Sequence, residues 1–183
     1  MMPRSADEPH RVSTPLELFF DLVFVVAVAQ AAAGLHHGIA ENHAPQATFS
    51  YLLMFFAIWW AWMNFTWFAS SYDTDDVPYR LLVFVQMTGA LIFASGVSES
   101  FTTQATGTID ITRTIVLGYV VMRIASVIQW ARAGWTDPIH RPAAIRYGVG
   151  VGVCQVYWIA LLFVPTSLHL PGYVLGIVAE LVV

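Results

Sequence analysis

The chain contains repeated apolar runs of about 20 residues, the length an α-helix needs to cross a hydrocarbon core of roughly 30 Å. Five of these runs are complete, and they occupy residues 15–35, 49–70, 79–101, 111–131 and 143–164. A sixth run begins near residue 171 and reaches residue 183 after 13 residues. The pattern predicts an all-α, polytopic transmembrane helical bundle with five complete spans and a truncated sixth.

The composition agrees with a membrane protein, because 57% of the residues are hydrophobic and only 11% are charged. An ordinary soluble domain has roughly 25% charged residues. All eight basic residues are Arg and the net charge is −4, so the clustered positive charge that nucleic acid requires is missing. The predicted partner is the lipid bilayer and not nucleic acid. Without Lys, the chain also cannot form a Schiff base with retinal or pyridoxal phosphate, and no cofactor is predicted.

The arginines indicate how the chain is oriented, because cytoplasmic flanks of membrane proteins hold the excess of Arg and Lys. Six of them fall on one side of the predicted bundle: Arg4, Arg11, Arg80, Arg132, Arg141 and Arg146. We therefore expect a cytoplasmic N-terminus. Residues 1–14 are interpreted as a cytoplasmic tail and residues 15–183 as the transmembrane helical domain of a longer chain.

The first span begins with a capping box. Thr14 is placed to cap the helix, Pro15 stands at the first helical position, and Glu17 follows three residues after the cap. A carboxylate in the first turn also meets the positive end of the helix dipole. A structural role is therefore the favoured interpretation of Glu17, with a functional role as the alternative.

Asp21 lies one turn deeper, about 9 Å inside Pro15 by helical rise, where an ionisable side chain is a functional candidate. Arg123 in the fourth span lies at a similar depth and is the predicted counter-charge. Asn64 and Gln86 fall in the same layer by the same arithmetic. We predict a buried cluster of Asp21, Asn64, Gln86 and Arg123 that either lines a polar pathway or holds the bundle together.

Two other groups of residues suggest weaker hypotheses. Trp59, Trp60 and Trp62 lie too deep for an interfacial belt, and they form either a cage for an organic or cationic substrate or, as the favoured reading, packing contacts. The turn after the second span carries Asp73, Asp75, Asp76 and Arg80. Asp76 can cap the third helix. Asp73 and Asp75 could bind a cation, but local pairing with Arg80 is favoured, and no metal site is predicted.

Three features together resemble the bacterial low temperature requirement A (LtrA) family. They are the sequence TPLELFFDLVFV over residues 14–25, the Trp-rich second span, and YDTDD over residues 72–76 with Arg80. The resemblance covers the chain from about residue 12 to its end. It implies a multi-pass protein of the bacterial cytoplasmic (inner) membrane, about twice this length and linked by name to growth in the cold. It implies no biochemical activity.

The leading functional hypothesis is a secondary transporter or ion permease that uses the Asp21–Arg123 pair to move an unknown ion or small molecule. The alternative is a non-transporting membrane protein with a stress-response or scaffolding role, in which the same charges fix the helices. An enzyme is not expected, because no nucleophile, base and orienting residue stand at a recognisable spacing. Homo-oligomerisation is left open by the sequence.

Overall fold

The computed structural model of the protein describes residues 2–3, 13–104 and 113–183. Their helices are α1 (Pro15–Ala40), α2 (Ala44–Ser71), α3 (Val77–Gln104), α4 (Arg113–Thr136), α5 (Arg141–Leu161) and α6 (His169–Val182). A 3₁₀ turn over Thr166–Leu168 precedes α6, and the two-residue strands β1 (Met2–Pro3) and β2 (Tyr72–Asp73) pair antiparallel. Helices α1 to α5 are long and apolar enough to cross a membrane. The predicted all-α bundle is confirmed.

The helix ends differ from the predicted spans for identifiable reasons. Helix α1 continues to Ala40 and α2 already begins at Ala44, because hydropathy detects only the apolar part of a helix and not its polar ends. Helix α5 ends at Leu161, three residues before the predicted boundary, because Pro165 disfavours helical geometry in the residue before it. Helix α6 has 14 residues.

The connection between α1 and α2 is a tight turn. Asn42 adopts a φ of 62°, a left-handed conformation that Asn tolerates better than most residues. The amide of His43 donates to the carbonyl of Gly38 at 2.9 Å, which closes the end of α1. The turn makes α1 and α2 an antiparallel pair, in which the last turn of α1 lies beside the first turn of α2.

The bundle core consists mainly of aromatic and small side chains. Helix α1 packs against α2 and α3, α3 against α4, and α4 against α5. The ring of Phe20 stacks on those of Phe24 and Phe65, with centroids 4.7 and 3.6 Å apart. Large apolar side chains such as Leu22 and Val156 remain exposed on the outside, as expected of helices that face lipid, since hydrocarbon requires no polar surface.

Glycines allow α3 and α4 to approach each other closely. A Cβ atom added at Gly118 would lie 2.6 Å from the carbonyl oxygen of Gly89 and 2.7 Å from the Cα of Phe93. Both neighbours are backbone atoms of α3, so a side-chain rotation cannot relieve the clash. By contrast, a Cβ at Gly152 of α5 would meet nothing within 4 Å.

We therefore expect Gly118→Ala to lower the free energy of unfolding by about 1–3 kcal/mol, the usual cost of overpacking. The matched control Gly152→Ala should be neutral or stabilising by up to about 1 kcal/mol, because Ala favours the helix. Thermal unfolding of both variants in detergent would measure the difference. Equal melting temperatures for the two variants would show that the α3–α4 contact is looser than described.

Candidate functional site

The most enclosed charged group among the described residues is a carboxylate on α6. Glu180 has no exposed surface, and Arg123 of α4 is 1% exposed. The Nη2 of Arg123 donates to Oε2 of Glu180 in a direct ion pair. The indole Nε1 of Trp60, on α2, donates to the same oxygen at 3.0 Å. Three helices therefore meet at one carboxylate oxygen.

The other oxygen of Glu180 accepts three further hydrogen bonds. The hydroxyl of Tyr119 donates at 3.1 Å, Nε1 of Trp158 at 3.3 Å and Nε2 of Gln155 at 3.4 Å. Arg123 also lies over the ring of Tyr119, 5.5 Å from its centroid. We call this group the Glu180 cluster: Glu180, Arg123, Trp60, Tyr119, Gln155 and Trp158. Together its five donors engage both oxygens of the Glu180 carboxylate.

The structure corrects the predicted pairing of Asp21 with Arg123. Arg123 pairs with Glu180, while Oδ1 of Asp21 accepts a hydrogen bond from Nε1 of Trp62 at 2.7 Å. Similar depth along two helices does not specify which way each side chain points around its helix. Arg123 points to α6, whereas Asp21 lies between α1 and α2.

Asn64 and Gln86 are buried as predicted, but their hydrogen bonds are not made to the other residues of the predicted cluster. The Nδ2 of Asn64 donates to the carbonyl of Trp60, one turn earlier on its own helix, at 2.6 Å. The Nε2 of Gln86 donates to Oε1 of Gln129 at 2.7 Å and joins α3 to α4. The predicted polar layer is therefore divided among separate hydrogen bonds.

Asp21 borders a groove of about 420 Å³ on the outer face of the α1–α2 pair. Both helices contribute residues at i, i+3, i+4 and i+7, the spacing of a single helix face. The α1 side consists of Asp21, Phe24, Val25 and Val28, and the α2 side of Phe55, Ile58, Trp59 and Trp62. We call this the Asp21 groove. Within the part of the chain that the structure describes, Asp21 is its single charged lining residue.

Several buried polar atoms have no hydrogen-bond partner among the described residues. They include Nε and Nη1 of Arg123, Oε1 of Gln155, Nε2 of Gln129 and Oδ1 of Asn64. Such atoms are normally satisfied by protein or by ordered water. Buried unpaired polar atoms thus occur on α2, α4 and α5, so water within the bundle would find partners there.

The capping prediction at the start of α1 is confirmed. The side-chain oxygen of Thr14 accepts the amide N–H of Glu17 at 3.2 Å, and Pro15 occupies the first helical position. Glu17 is 9% exposed and lies in the first turn. Its position agrees with the structural role favoured by the sequence.

The acidic turn forms ion pairs with arginines. Arg80 donates to both oxygens of Asp75, at 2.8 and 2.6 Å. Asp76 caps α3 through the amide of Tyr79 at 2.8 Å and also accepts from Nη2 of Arg132 at 2.7 Å, which joins the start of α3 to the end of α4. The side chain of Asp73 lies outside the described residues.

The charges in this turn alter the acidity of two carboxyl groups. The hydrogen bond from Arg80 lowers the pKa of Asp75 below its ordinary value. The hydrogen bond from Arg132 likewise lowers the pKa of Asp76, and the amide of Tyr79 adds to that effect. Both carboxylates therefore stay ionised in their ion pairs at neutral pH.

Asp137, which was not predicted from the sequence, organises the connection between α4 and α5. Its Oδ1 accepts the amides of Ile139 and His140 at 3.1 and 3.2 Å. Its Oδ2 contacts Nδ1 of His140 at 2.7 Å. Burial raises the pKa of Asp137, but the hydrogen bonds from His140 and Ile139 outweigh it and leave that pKa below the ordinary value.

Glu180 was not predicted from the sequence either, although the sequence contains a signal for it. Glu180 is an acid inside an apolar run, which is the criterion that selects Asp21. The run over residues 171–183 is too short for a complete span, so hydropathy alone does not place Glu180 inside the membrane. Applied to every apolar run, the same criterion identifies both acids.

The apolar helices and their buried ion pair define a polytopic membrane protein. A family model described as "Bacterial low temperature requirement A protein (LtrA)" matches residues 12–183, which is most of the chain. The chain therefore belongs to the bacterial low temperature requirement A family, as its motifs predicted.

One curated relative is the uncharacterized protein RA0937 of Rhizobium meliloti (strain 1021), 39% identical over 85 residues. The aligned part is 46% of this chain but only 20% of that relative, so the relative extends far beyond the aligned part. No solved structure matches the chain.

Removing one partner of the buried ion pair should be costly. We expect Arg123→Gln to lower the free energy of unfolding by about 3–5 kcal/mol, because Glu180 is left as an unpaired buried charge. Combining it with Glu180→Gln removes both charges and should recover most of the loss. Unfolding in detergent, followed by circular dichroism, measures both variants against wild type.

The exposed pair of Arg80 and Asp75 provides the control. Their side chains are 54% and 58% exposed, so Arg80→Gln should change the free energy of unfolding by less than about 1 kcal/mol. A double variant no more stable than Arg123→Gln alone would contradict the assignment of Arg123 and Glu180 as partners.

The ion pair between Asp76 and Arg132 should contribute to stability only when Asp76 is ionised. Because the pKa of Asp76 is lowered in the folded protein, its contribution is complete above the unfolded pKa of about 3.9 and is lost as the pH falls through the folded pKa. Asp76→Asn keeps a capping oxygen but loses the charge. We expect it to melt below wild type at pH 7, by an amount equivalent to about 1 kcal/mol or less.

At pH 3 the melting temperatures of wild type and Asp76→Asn should converge. A difference that is unchanged at pH 3 would show that it does not come from the charge of Asp76, and equal melting temperatures at pH 7 would mean that Asp76 acts only through its cap. Asp76→Ala, which loses both the cap and the charge, should stay below wild type at both pH values.

Proposed function

We propose that the chain forms part of a secondary transporter or ion permease in the bacterial cytoplasmic membrane, with its N-terminus in the cytoplasm. Asp21 is the residue that takes up and releases the transported proton or cation. The orientation rests on the asymmetric distribution of arginines in the sequence. Family membership supports the membrane location.

The observation that carries the proposal is the environment of Asp21. It lies about 9 Å inside the first helix, and within residues 13–104 and 113–183 no basic side chain forms an ion pair with it. Its one hydrogen-bond donor there is Trp62. A charge placed in the membrane costs about 3 kcal/mol on insertion scales. A carboxylate kept there without a counter-charge is suited to binding a mobile cation.

The Glu180 cluster supports the same proposal in a different way. Arg123 forms its ion pair with Glu180. It is therefore not available as a counter-charge for Asp21. The cluster ties α2, α4, α5 and α6 together and provides a fixed frame. The unpaired buried atoms of Arg123, Gln129 and Gln155 are groups that water could solvate along a polar path.

A second candidate function is a non-transporting membrane protein that acts as a scaffold or in a stress response. The Glu180 cluster favours it, because five donors on one fully buried carboxylate hold the helices rather than admit a solute. This alternative assigns no function to Asp21 beyond its hydrogen bond to Trp62.

Flux measurements on the full-length protein in proteoliposomes distinguish the two candidates. Proton and monovalent-cation fluxes would be recorded under imposed gradients for wild type and Asp21→Asn. Asn keeps a side-chain oxygen for Trp62 but removes the negative charge. We expect flux in wild type and at least a tenfold loss in Asp21→Asn, since the cation loses its binding charge.

Glu41→Gln is the matched control. Glu41 lies in the connection after α1 with a side chain 48% exposed, outside the apolar part of the helix, and its removal should leave flux unchanged. Absence of flux in correctly folded wild type, for protons and for every monovalent cation tried, would refute the transport proposal and favour the scaffold.

A further inference from the structure

We propose that the Asp21 groove is a binding site for a lipophilic organic monocation, a molecule with one positive charge on an apolar or aromatic body. The inference rests on the proposed role of Asp21 in transport and specifies the class of substrate. It follows from a negative charge, aromatic rings and an open volume that lie together on the lipid-facing side of α1 and α2.

The shape of the groove suits a small organic molecule. Its volume of about 420 Å³ falls within the range of roughly 300–1,000 Å³ typical of small-molecule sites. The antiparallel α1–α2 turn places two matching helix faces opposite each other. Asp21 meets Trp62 near one end, and the remaining lining residues are apolar or aromatic.

The chemistry of the lining selects for positive charge. Four rings line the groove, those of Phe24, Phe55, Trp59 and Trp62, and the face of an aromatic ring attracts a cation, most strongly in Trp. None of the described residues that line it is Lys, Arg or His. A carboxylate in surroundings of low dielectric constant adds an attraction that is stronger than it would be in water.

The ligand should also be lipophilic, because the groove is reached from the bilayer. Trp59 is 40% exposed and Val25 is 61% exposed, and both belong to helices long and apolar enough to span the membrane. A strongly hydrated ion such as Na⁺ would meet a single carboxylate and few other oxygen ligands, which is a poor replacement for its water shell. An organic cation brings its own apolar surface to the rings.

Equilibrium dialysis of tetraphenylphosphonium against the full-length protein in detergent micelles tests the proposal, with empty micelles as the blank. We expect saturable binding to wild type and at least tenfold weaker binding to Asp21→Asn. Triphenylphosphine oxide, which is neutral and of similar shape, should bind wild type and Asp21→Asn equally and more weakly.

A pair of tryptophan variants on α2 provides a second test. Trp59 lines the groove and Trp67 does not, although the two are 40% and 41% exposed. Trp59→Leu should weaken tetraphenylphosphonium binding by about two- to fivefold, as expected for one cation–π contact. Trp67→Leu should leave it unchanged. Unaltered melting temperatures of all variants would show that the fold is retained.

The outcomes separate this inference from the transport proposal. Binding that depends on Asp21 in a protein that shows no flux would support the site and refute transport. Equal binding of the cation to wild type and Asp21→Asn, or equal binding of the cation and the neutral oxide to wild type, would overturn the site. Absence of saturable binding to wild type, as would follow if another helix of the full-length protein covers the groove, would also overturn it.

Discussion

The ion pair between Arg123 and Glu180 is the interaction on which the arrangement of the helices depends. Neither side chain is exposed at the surface of the bundle, and a charge left alone in an apolar interior is much more costly than one that is paired and hydrogen-bonded. The two residues are 57 positions apart in the chain, and donors from α2, α4 and α5 surround the carboxylate. Because each buried charge needs the other as its partner, the ion pair fixes where α6 packs, although α6 has only 14 residues.

Asp21 and Glu180 show how differently two intramembrane acids can be used. Glu180 accepts five hydrogen bonds, including one from a guanidinium, and has no exposed surface. Among the described residues, Asp21 accepts one from Trp62 and borders a groove open to the outside of the bundle. A carboxylate whose oxygens are fully engaged holds structure, whereas one with spare capacity and access can exchange partners. This contrast is the reason why the proposed transport role falls to Asp21 and not to Glu180.

The helices of this protein could be predicted from the sequence, but the partners of its charges could not. Apolar length identifies a membrane helix directly, and local motifs such as the Thr14 cap and the Asp76 cap involve residues only three apart. The partner of Arg123 depends on the rotation of each helix about its axis, which depth alone leaves undefined. The hydrogen bond between Gln86 and Gln129 likewise depends on helix packing, because α3 and α4 approach each other closely at Gly89 and Gly118.

The separation of Arg123 from Glu180 along the chain has a consequence for biosynthesis. Translation at about 5–20 residues per second delivers α4 to the insertion machinery several seconds before Glu180 is made. During that interval Arg123 has no carboxylate from α6, and its unpaired charge costs about 3 kcal/mol in a membrane on insertion scales. The ion pair that neutralises it forms only after α5 and most of α6 have been synthesised.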